Sequence, residues 1–221
     1  MPDALHTQSI DEPHADTHAA RKRPKPGERR IQILQTLAEM LQQPSGDRIT
    51  TAALAARLDV SEAALYRHFA SKAQMFEGLI EFIEQSVFTL INQIVAREEA
   101  SGGDLRGVGV RQASRIVAML MQFSERNPGM ARVMVGDALV FENERLQTRM
   151  NQFFDKIEST LKQCLRAGAA ESTSATPTVD AQVRASVLAA FVAGRLQRFV
   201  RSGFKRLPSE HLEPSLSVLL G

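Results

Sequence analysis

The segment 50-TTAALAARLDVSEAALYRHFASK-72 decides how the rest of the chain is read. Thr50 precedes a short run whose inward side is Leu54, Ala55 and Leu58, and its hydroxyl can accept from an orphan N–H group of a first helical turn. That run should stop near Leu58. Asp59 is one of the few non-glycine types that tolerate positive φ, Val60 plugs the corner, and Ser61 can cap a second helix reaching to about Phe69. So short a turn makes the two helices cross steeply, and Ala55 is the size that fits at their contact.

Leu65 and Phe69, four apart, give the second helix one apolar side. Its other side carries Glu62, Ala63, Tyr66 and Arg67, too short or too polar for a core and suited to a major groove. This is helix-turn-helix patterning. An alanine-rich helical hairpin with no such role would share it in outline, but the order Thr-Thr, Ala, Val-Ser, Leu-Tyr, Phe and Lys argues for the duplex-reading form. Helix N-termini at Thr50 and Ser61 would point N–H groups at phosphates, with Thr50, Thr51, Tyr66, His68 and Lys72 adding side-chain contacts. Arg48, in the approach, is placed to touch phosphate or simply to be a solvated turn residue. Base choice would fall to Ala63 and Ala64, whose methyls can meet thymine methyls, and to Arg67, which can fork onto guanine.

The 221-residue chain as a whole bounds this reading. A hydrophobic content of 43% is enough for a real core, and a net charge of only +2 means that DNA affinity must come from local charge rather than bulk attraction. The one cysteine, Cys164, rules out an internal disulfide framework and a cysteine-cluster zinc site, and reads as packing in a reducing cytosol. No secretion signal is expected in residues 1–20, and no run is expected to approach a membrane span. Residues 1–27 read as a disordered arm ending in Arg21, Lys22, Arg23 and Lys25, ahead of Glu28, Arg29 and Arg30. Such a cluster fits either phosphate and minor-groove contact or a solubilising tail. His6, His14 and His18 lack a scaffold there, so no metal site is expected.

The domain division expected is a helix-turn-helix unit over residues 28–71 and an all-helical dimerisation and partner-binding unit over 72–221. Ile31, Leu34, Leu37, Ala38 and Leu41 predict a first helix over 28–43, ended by Pro44-Ser45-Gly46-Asp47. Ser71 and Gln74 have capping-box spacing, each reaching for the other's backbone N–H, before a long helix from Met75 and Leu79 through Phe82, Ile83, Val87, Leu90, Ile91, Ile94 and Val95 toward Ala100. Ile116, Val117, Met119, Leu120 and Phe123 predict a helix over 105–126, and Asn127-Pro128-Gly129 a sharp turn. A short helix through Met134 should follow, then a long one marked by Leu146, Met150, Phe153, Phe154, Ile157, Leu161 and Leu165. After a small-residue linker over 169–177, Val183, Val187, Leu188, Phe191, Val192, Leu196, Phe199 and Val200 form a helix with more apolar surface than one neighbour can cover. Small Ala189, Ala190, Ala193 and Gly194 would let a second copy approach, giving a homodimer, although an ordinary buried helix is the alternative.

Tyr66-Arg67-His68-Phe69 followed by Ser71-Lys72 resembles the signature of TetR-type regulators, all-α proteins with an amino-terminal three-helix DNA-binding domain and a carboxy-terminal helical dimerisation and regulatory domain. Asp59 stands where that family usually has glycine, and Ala70 where proline is common. Glu125-Arg126-Asn127-Pro128-Gly129, Gly136-Asp137-Ala138-Leu139-Val140-Phe141-Glu142 and Arg198-Phe199-Val200-Arg201-Ser202 with Phe204-Lys205 are similar to the nucleoid occlusion branch of the family. The resemblance implies a dimer on palindromic double-stranded DNA that, while bound, antagonises polymers of the division GTPase FtsZ, in the cytoplasm at the nucleoid. It also implies a partner groove holding Phe82, Met119, Gln122, Arg126 and Asn127, with Leu90 where a basic residue is expected and Phe88 able to reshape it. For the apolar members, core packing is the alternative.

A ligand-responsive repressor of the same family is the rival reading, since a small-molecule pocket leaves no linear motif. An enzyme is not expected. The chain has no phosphate-cradling glycine loop, nucleophile elbow or ligand-spaced histidine pair, and no cofactor or metal is implied.

Overall fold

The computed structural model describes residues 27–43, 48–100, 107–167 and 175–221. The amino-terminal arm up to residue 26, the stop at 44–47 and most of the 169–177 linker lie outside the described residues. The order is α1 (Glu28–Met40), α2 (Thr51–Arg57), α3 (Glu62–Tyr66), α4 (Lys72–Ala100), α5 (Val108–Arg126) and α6 (Pro128–Met134). A 3₁₀ turn (Asp137–Leu139) then leads to α7 (Glu144–Ala167), α8 (Pro177–Arg201) and α9 (Leu212–Leu220). No strand occurs among the described residues.

The short amino-terminal helices are seated on the start of α4. Ile33, Leu37, Leu54, Leu65 and Phe69 belong to the same buried cluster as Met75, Phe76, Leu79 and Ile80, so one apolar core runs through both halves. The face of α1 differs from the sequence expectation: Ile31 is 54% exposed, whereas Ile33 is fully buried. Two residues change direction by about 200° on a helix, so choosing Ile31 aimed that stripe outward at its first turn.

α4 contradicts the expectation that no run approaches a membrane span, being by length and composition apolar enough to cross one. Its apolar residues Leu79, Ile83, Val87 and Ile91 are buried, however, among α1, α5 and α7. Arg145 and Arg149 of α7 pair with Glu77 and Glu84 on its flank, at 2.7 Å in both cases. The bond from Glu84 holds the Arg149 guanidinium above its ordinary pKa, with burial opposing. These contacts make α4 the spine of the fold.

The seam between the halves is tight at α6. A Cβ added to Gly129 would fall 1.9 Å from the Ala38 carbonyl oxygen, so only glycine lets α6 start this close to α1. Arg132 then donates from Nη1 to the carbonyls of Leu41 and Gln43, both at 3.3 Å, satisfying groups that the end of α1 leaves open. Its Nε donates to Asp137, 2.6 Å away, which fixes the guanidinium.

α7 and α8 pack lengthwise on each other and on α5. Cys164 is buried on α7, and that burial raises its thiol pKa. The opposite side of α8 is uncovered: Val179, Val183 and Val187 are 58%, 56% and 43% exposed. Ala190 and Gly194 continue that stripe, with nothing within 4 Å of a Cβ added at Gly194, whereas Ala189 faces inward. α9 was not foreseen. It packs on α8 and α5 through Leu216 and Leu220.

Candidate nucleic-acid interface and partner groove

Capping chemistry builds the reading unit as its sequence implies. Thr50 is extended, at φ −99° and ψ 155°, and its Oγ1 accepts from Ala53 N at 3.1 Å. Ser61 accepts from Ala64 N at 3.3 Å. Asp59 takes φ 54°, and Val60 N donates to Ala55 O across the corner at 3.1 Å. Leu54, Ala55, Leu65 and Phe69 are buried together, which leaves Ala63, Tyr66, Arg67 and His68 exposed and Ala64 half-buried. Arg48, Thr50 and Ser61 are exposed as well.

Three residues depart from expectation. Thr51 donates its hydroxyl proton to Glu62 Oε2 at 2.6 Å, locking the start of α2 to the first turn of α3 and leaving no proton for a phosphate. Lys72 is ion-paired with Glu142 in the turn after α6, its side chain 20% exposed, and it rests near the Phe76 ring. That lysine therefore ties the start of α4 to the turn before α7. Gln74 N donates to Ser71 Oγ as predicted, at 3.2 Å, but the Gln74 side chain accepts from Ala70 N rather than from Ser71.

α3 stops at Tyr66, short of Phe69, and the sequence reading missed what holds its end. Arg30, grouped there with the basic arm, lies 4.1 Å over the Phe69 ring and donates from Nη1 to His68 O at 3.0 Å. A cation in the first turn of α1 opposes that helix's dipole, and this conflict was the available signal. Arg30 thus supports the exposed residues Tyr66, Arg67 and His68 from behind.

The second candidate site lies along α4 and α5, which run antiparallel. Gln112 Nε2 donates to Val95 O at 3.4 Å, and Arg111 Nε approaches Glu98 at 3.3 Å, which sets the register. From Gln112 to Arg126 is 14 residues and from Val95 back to Phe82 is 13, so equal rise on both helices puts Arg126 level with Phe82. Met119, 7 residues along, is level with Phe88. Phe82 is 44% exposed, Gln122 and Arg126 are exposed, and Met119 is half-buried against the core. Asn127 spends its amide donor on Phe123 O at 2.8 Å, ending α5. Phe88 does not enter this surface: its ring meets Phe153 of α7 edge-on at 5.8 Å. Leu90 is 37% exposed.

Two pockets, of about 200 and 290 Å³, border the turn after α6. The first mixes Arg48, Arg132, Asp137 and Glu142 with apolar residues such as Phe76 and Phe141, and Gln147, Gln197 and Arg201 line the second, which is the more polar of the two.

Comparisons with known proteins bear on both halves. Residues 33–79 match the family described as bacterial regulatory proteins, tetR family, and residues 109–220 match the tetracyclin repressor-like, C-terminal domain of SlmA-like type. The chain is 49% identical to the nucleoid occlusion factor SlmA of Idiomarina loihiensis over 86% of this chain and 93% of that one. Against the nucleoid occlusion factor SlmA of Aliivibrio fischeri it is 47% identical over 89% and 96%, and against that of Vibrio cholerae 48% over 86% and 93%. Among solved structures, the regulator FadR from Bacillus subtilis in complex with stearoyl-CoA superposes with a TM-score of 0.67 at 13% identity, covering 86% of this chain and 97% of that one. The fatty acid degradation regulator FadR from Bacillus halodurans gives 0.66 at 16% identity, over 90% and 97%. At such identity these two show the fold alone.

Proposed function

We propose, because this chain belongs to the TetR family of bacterial regulators and matches its SlmA-like branch, that it is a nucleoid occlusion factor. As a homodimer it binds palindromic chromosomal sites and, while bound, engages FtsZ and antagonises its polymerisation, so that septa do not close over DNA. It works in the cytoplasm at the nucleoid. The observation that carries this reading is near-half identity, through both halves of the chain, to relatives of that name.

The geometry supports each part. Ala63, Tyr66 and Arg67 are outward on a helix too short to hold itself, and Ser61, Glu62 and Arg30 brace it from three sides. Such a helix can enter a major groove without reorganising. Arg67 would fork onto a base, the alanine methyls would meet thymine, and Arg48, Thr50, Ser61 and His68 would fix register on phosphate. The valine and small-residue stripe of α8 would pair with its copy across a two-fold axis, setting the two α3 helices about 34 Å apart in successive major grooves.

For FtsZ, the half-exposed Phe82 ring offers an apolar seat, the level Arg126 offers a fork for a carboxylate, and Met119 lies two turns of α5 further along the same surface. A fluorescent fusion tests the function in cells. It should coincide with the nucleoid, and its overproduction should block septation. A diffuse fusion with undisturbed division would overturn the proposal.

A further inference from the structure

The stretch 198-RFVRSGFKR-206 carries four cations and no acid, and neither DNA reading nor the groove uses it. All four cations are exposed, and none makes an ion pair among the described residues. Arg198 and Arg201 lie in the last turn of α8, where a positive charge offsets the helix dipole, so the fold accounts for them. Lys205 and Arg206 lie beyond the helix and have no such reason to be there.

The chain is nevertheless built to hold them. Gly203 and Phe204 both take left-handed φ, 61° and 65°. For a phenylalanine that conformation is strained, and it persists only where the surroundings over-determine it. Phe204 N donates to Phe199 O at 2.9 Å, and its ring packs on Phe199, centroids 5.2 Å apart, in a cluster with Ala131 of α6 and Val135 just after it. The Ser202 hydroxyl oxygen accepts from both Lys205 N and Arg206 N, at 3.1 and 2.9 Å. Three residues on, Ser209 N donates to Glu125 Oε1 at 2.9 Å, which fastens the segment to the last turn of α5. Arg126, at the end of the groove, is the next residue.

We infer that Lys205 and Arg206, with Arg126, form a cationic ledge continuing the α4–α5 groove, and that it receives acidic residues flanking the FtsZ segment seated on Phe82. The inference rests on the groove reading above. Charge complementarity selects an anionic occupant, and placement favours acidic polypeptide over DNA. The segment follows α8, whose packing partners are α5, α6, α7 and α9, and α6 intervenes between α8 and α1. Neither Glu125, which accepts from Ser209 N, nor Glu210, which lies against His211, is ion-paired with these cations among the described residues.

The test is binding of full-length FtsZ to the DNA-loaded protein at low and physiological salt, with DNA affinity measured in parallel. Reversing the pair, Lys205→Glu with Arg206→Glu, should weaken FtsZ binding about tenfold at roughly 50 mM salt, mainly by slower association, and flatten its salt dependence. Lys205→Ala with Arg206→Ala should cost about threefold, and Lys205→Arg with Arg206→Lys should bind as the native protein does. DNA affinity should be unchanged throughout. The ledge is refuted if charge reversal leaves FtsZ binding intact while Phe82→Ala weakens it, an outcome in which the groove survives. It is refuted in favour of a phosphate contact if DNA affinity falls and FtsZ binding does not. If Phe82→Ala and charge reversal are both silent, groove and ledge fall together.

Discussion

Residues 48–71 hold their shape by capping and turn chemistry among near neighbours, whereas residues 72–201 hold theirs by apolar stripes that acquire meaning only against one another. In the first region Thr50, Asp59 and Ser61 each act within three residues of themselves. In the second, α4, α5, α7 and α8 bury one face each, and the proposed function falls to what they leave open: Phe82 with Arg126 along one edge, and the valine stripe of α8 along another. A reading unit must present the same few side chains to a fixed ligand, so its backbone is specified locally. A partner surface has only to remain open beside a well-packed core.

The seam between the regions offers the largest test. Gly129→Ala puts a methyl 1.9 Å from the Ala38 carbonyl oxygen, and overpacking of that kind should cost about 3 kcal/mol or more and tilt α1 away from α6. Thermal unfolding would show it, and DNA affinity should fall with it. A variant as stable as the native protein would mean that the halves are not rigidly joined.

Next is Arg67→Ala, which should cost about 2 kcal/mol of DNA binding and relax base preference, while leaving the unfolding midpoint unchanged. Competition titrations on altered sites check it. An equal loss on every sequence would make Arg67 a phosphate contact and move base reading elsewhere. Thr50→Ala removes the acceptor of the Ala53 bond and should cost about 1 kcal/mol of stability, with DNA binding weakened uniformly across sequences. Unchanged unfolding would show that α2 is held by its packing alone.

The smallest effect on fold and DNA should come from Phe82→Ala. With a ring 44% exposed, stability should stay within about 0.5 kcal/mol and DNA affinity should hold, while FtsZ binding is lost. A stability loss of several kcal/mol would reassign Phe82 to the core and remove the contrast drawn between the two regions.

How much could be read beforehand follows the same contrast. The caps at Thr50 and Ser61 and the positive φ of Asp59 were legible because each is a bond or a strain between neighbours in sequence. Arg30 was not, since its acceptor is 38 residues away, and Lys72 was not, with Glu142 70 residues away. Lys72 was read as a phosphate contact and Arg30 as part of a cluster fit either for phosphate or for a solubilising tail, whereas the fold uses both as fasteners. Ile31 was assigned to the core because a short helix at the edge of a domain tolerates an exposed apolar residue, and periodicity could not rank it against Ile33. α9 escaped because LEPSLSVLL has proline in its first turn, no charged opposite side and only nine residues. The groove residues came from resemblance. Register between α4 and α5, which depends on Gln112 meeting Val95, is what puts Phe82 and Arg126 at one level.

In the function proposed, one chain joins chromosome occupancy to inhibition of FtsZ. Light scattering during FtsZ assembly, with the protein present alone and then with genomic DNA fragments bearing its sites, tests that junction directly. The signal should fall most when protein and DNA are both present, and the fall should be absent with Phe82→Ala. Undiminished assembly, from a dimer shown to bind that DNA, would contradict the account and leave a ligand-responsive repressor as the better description.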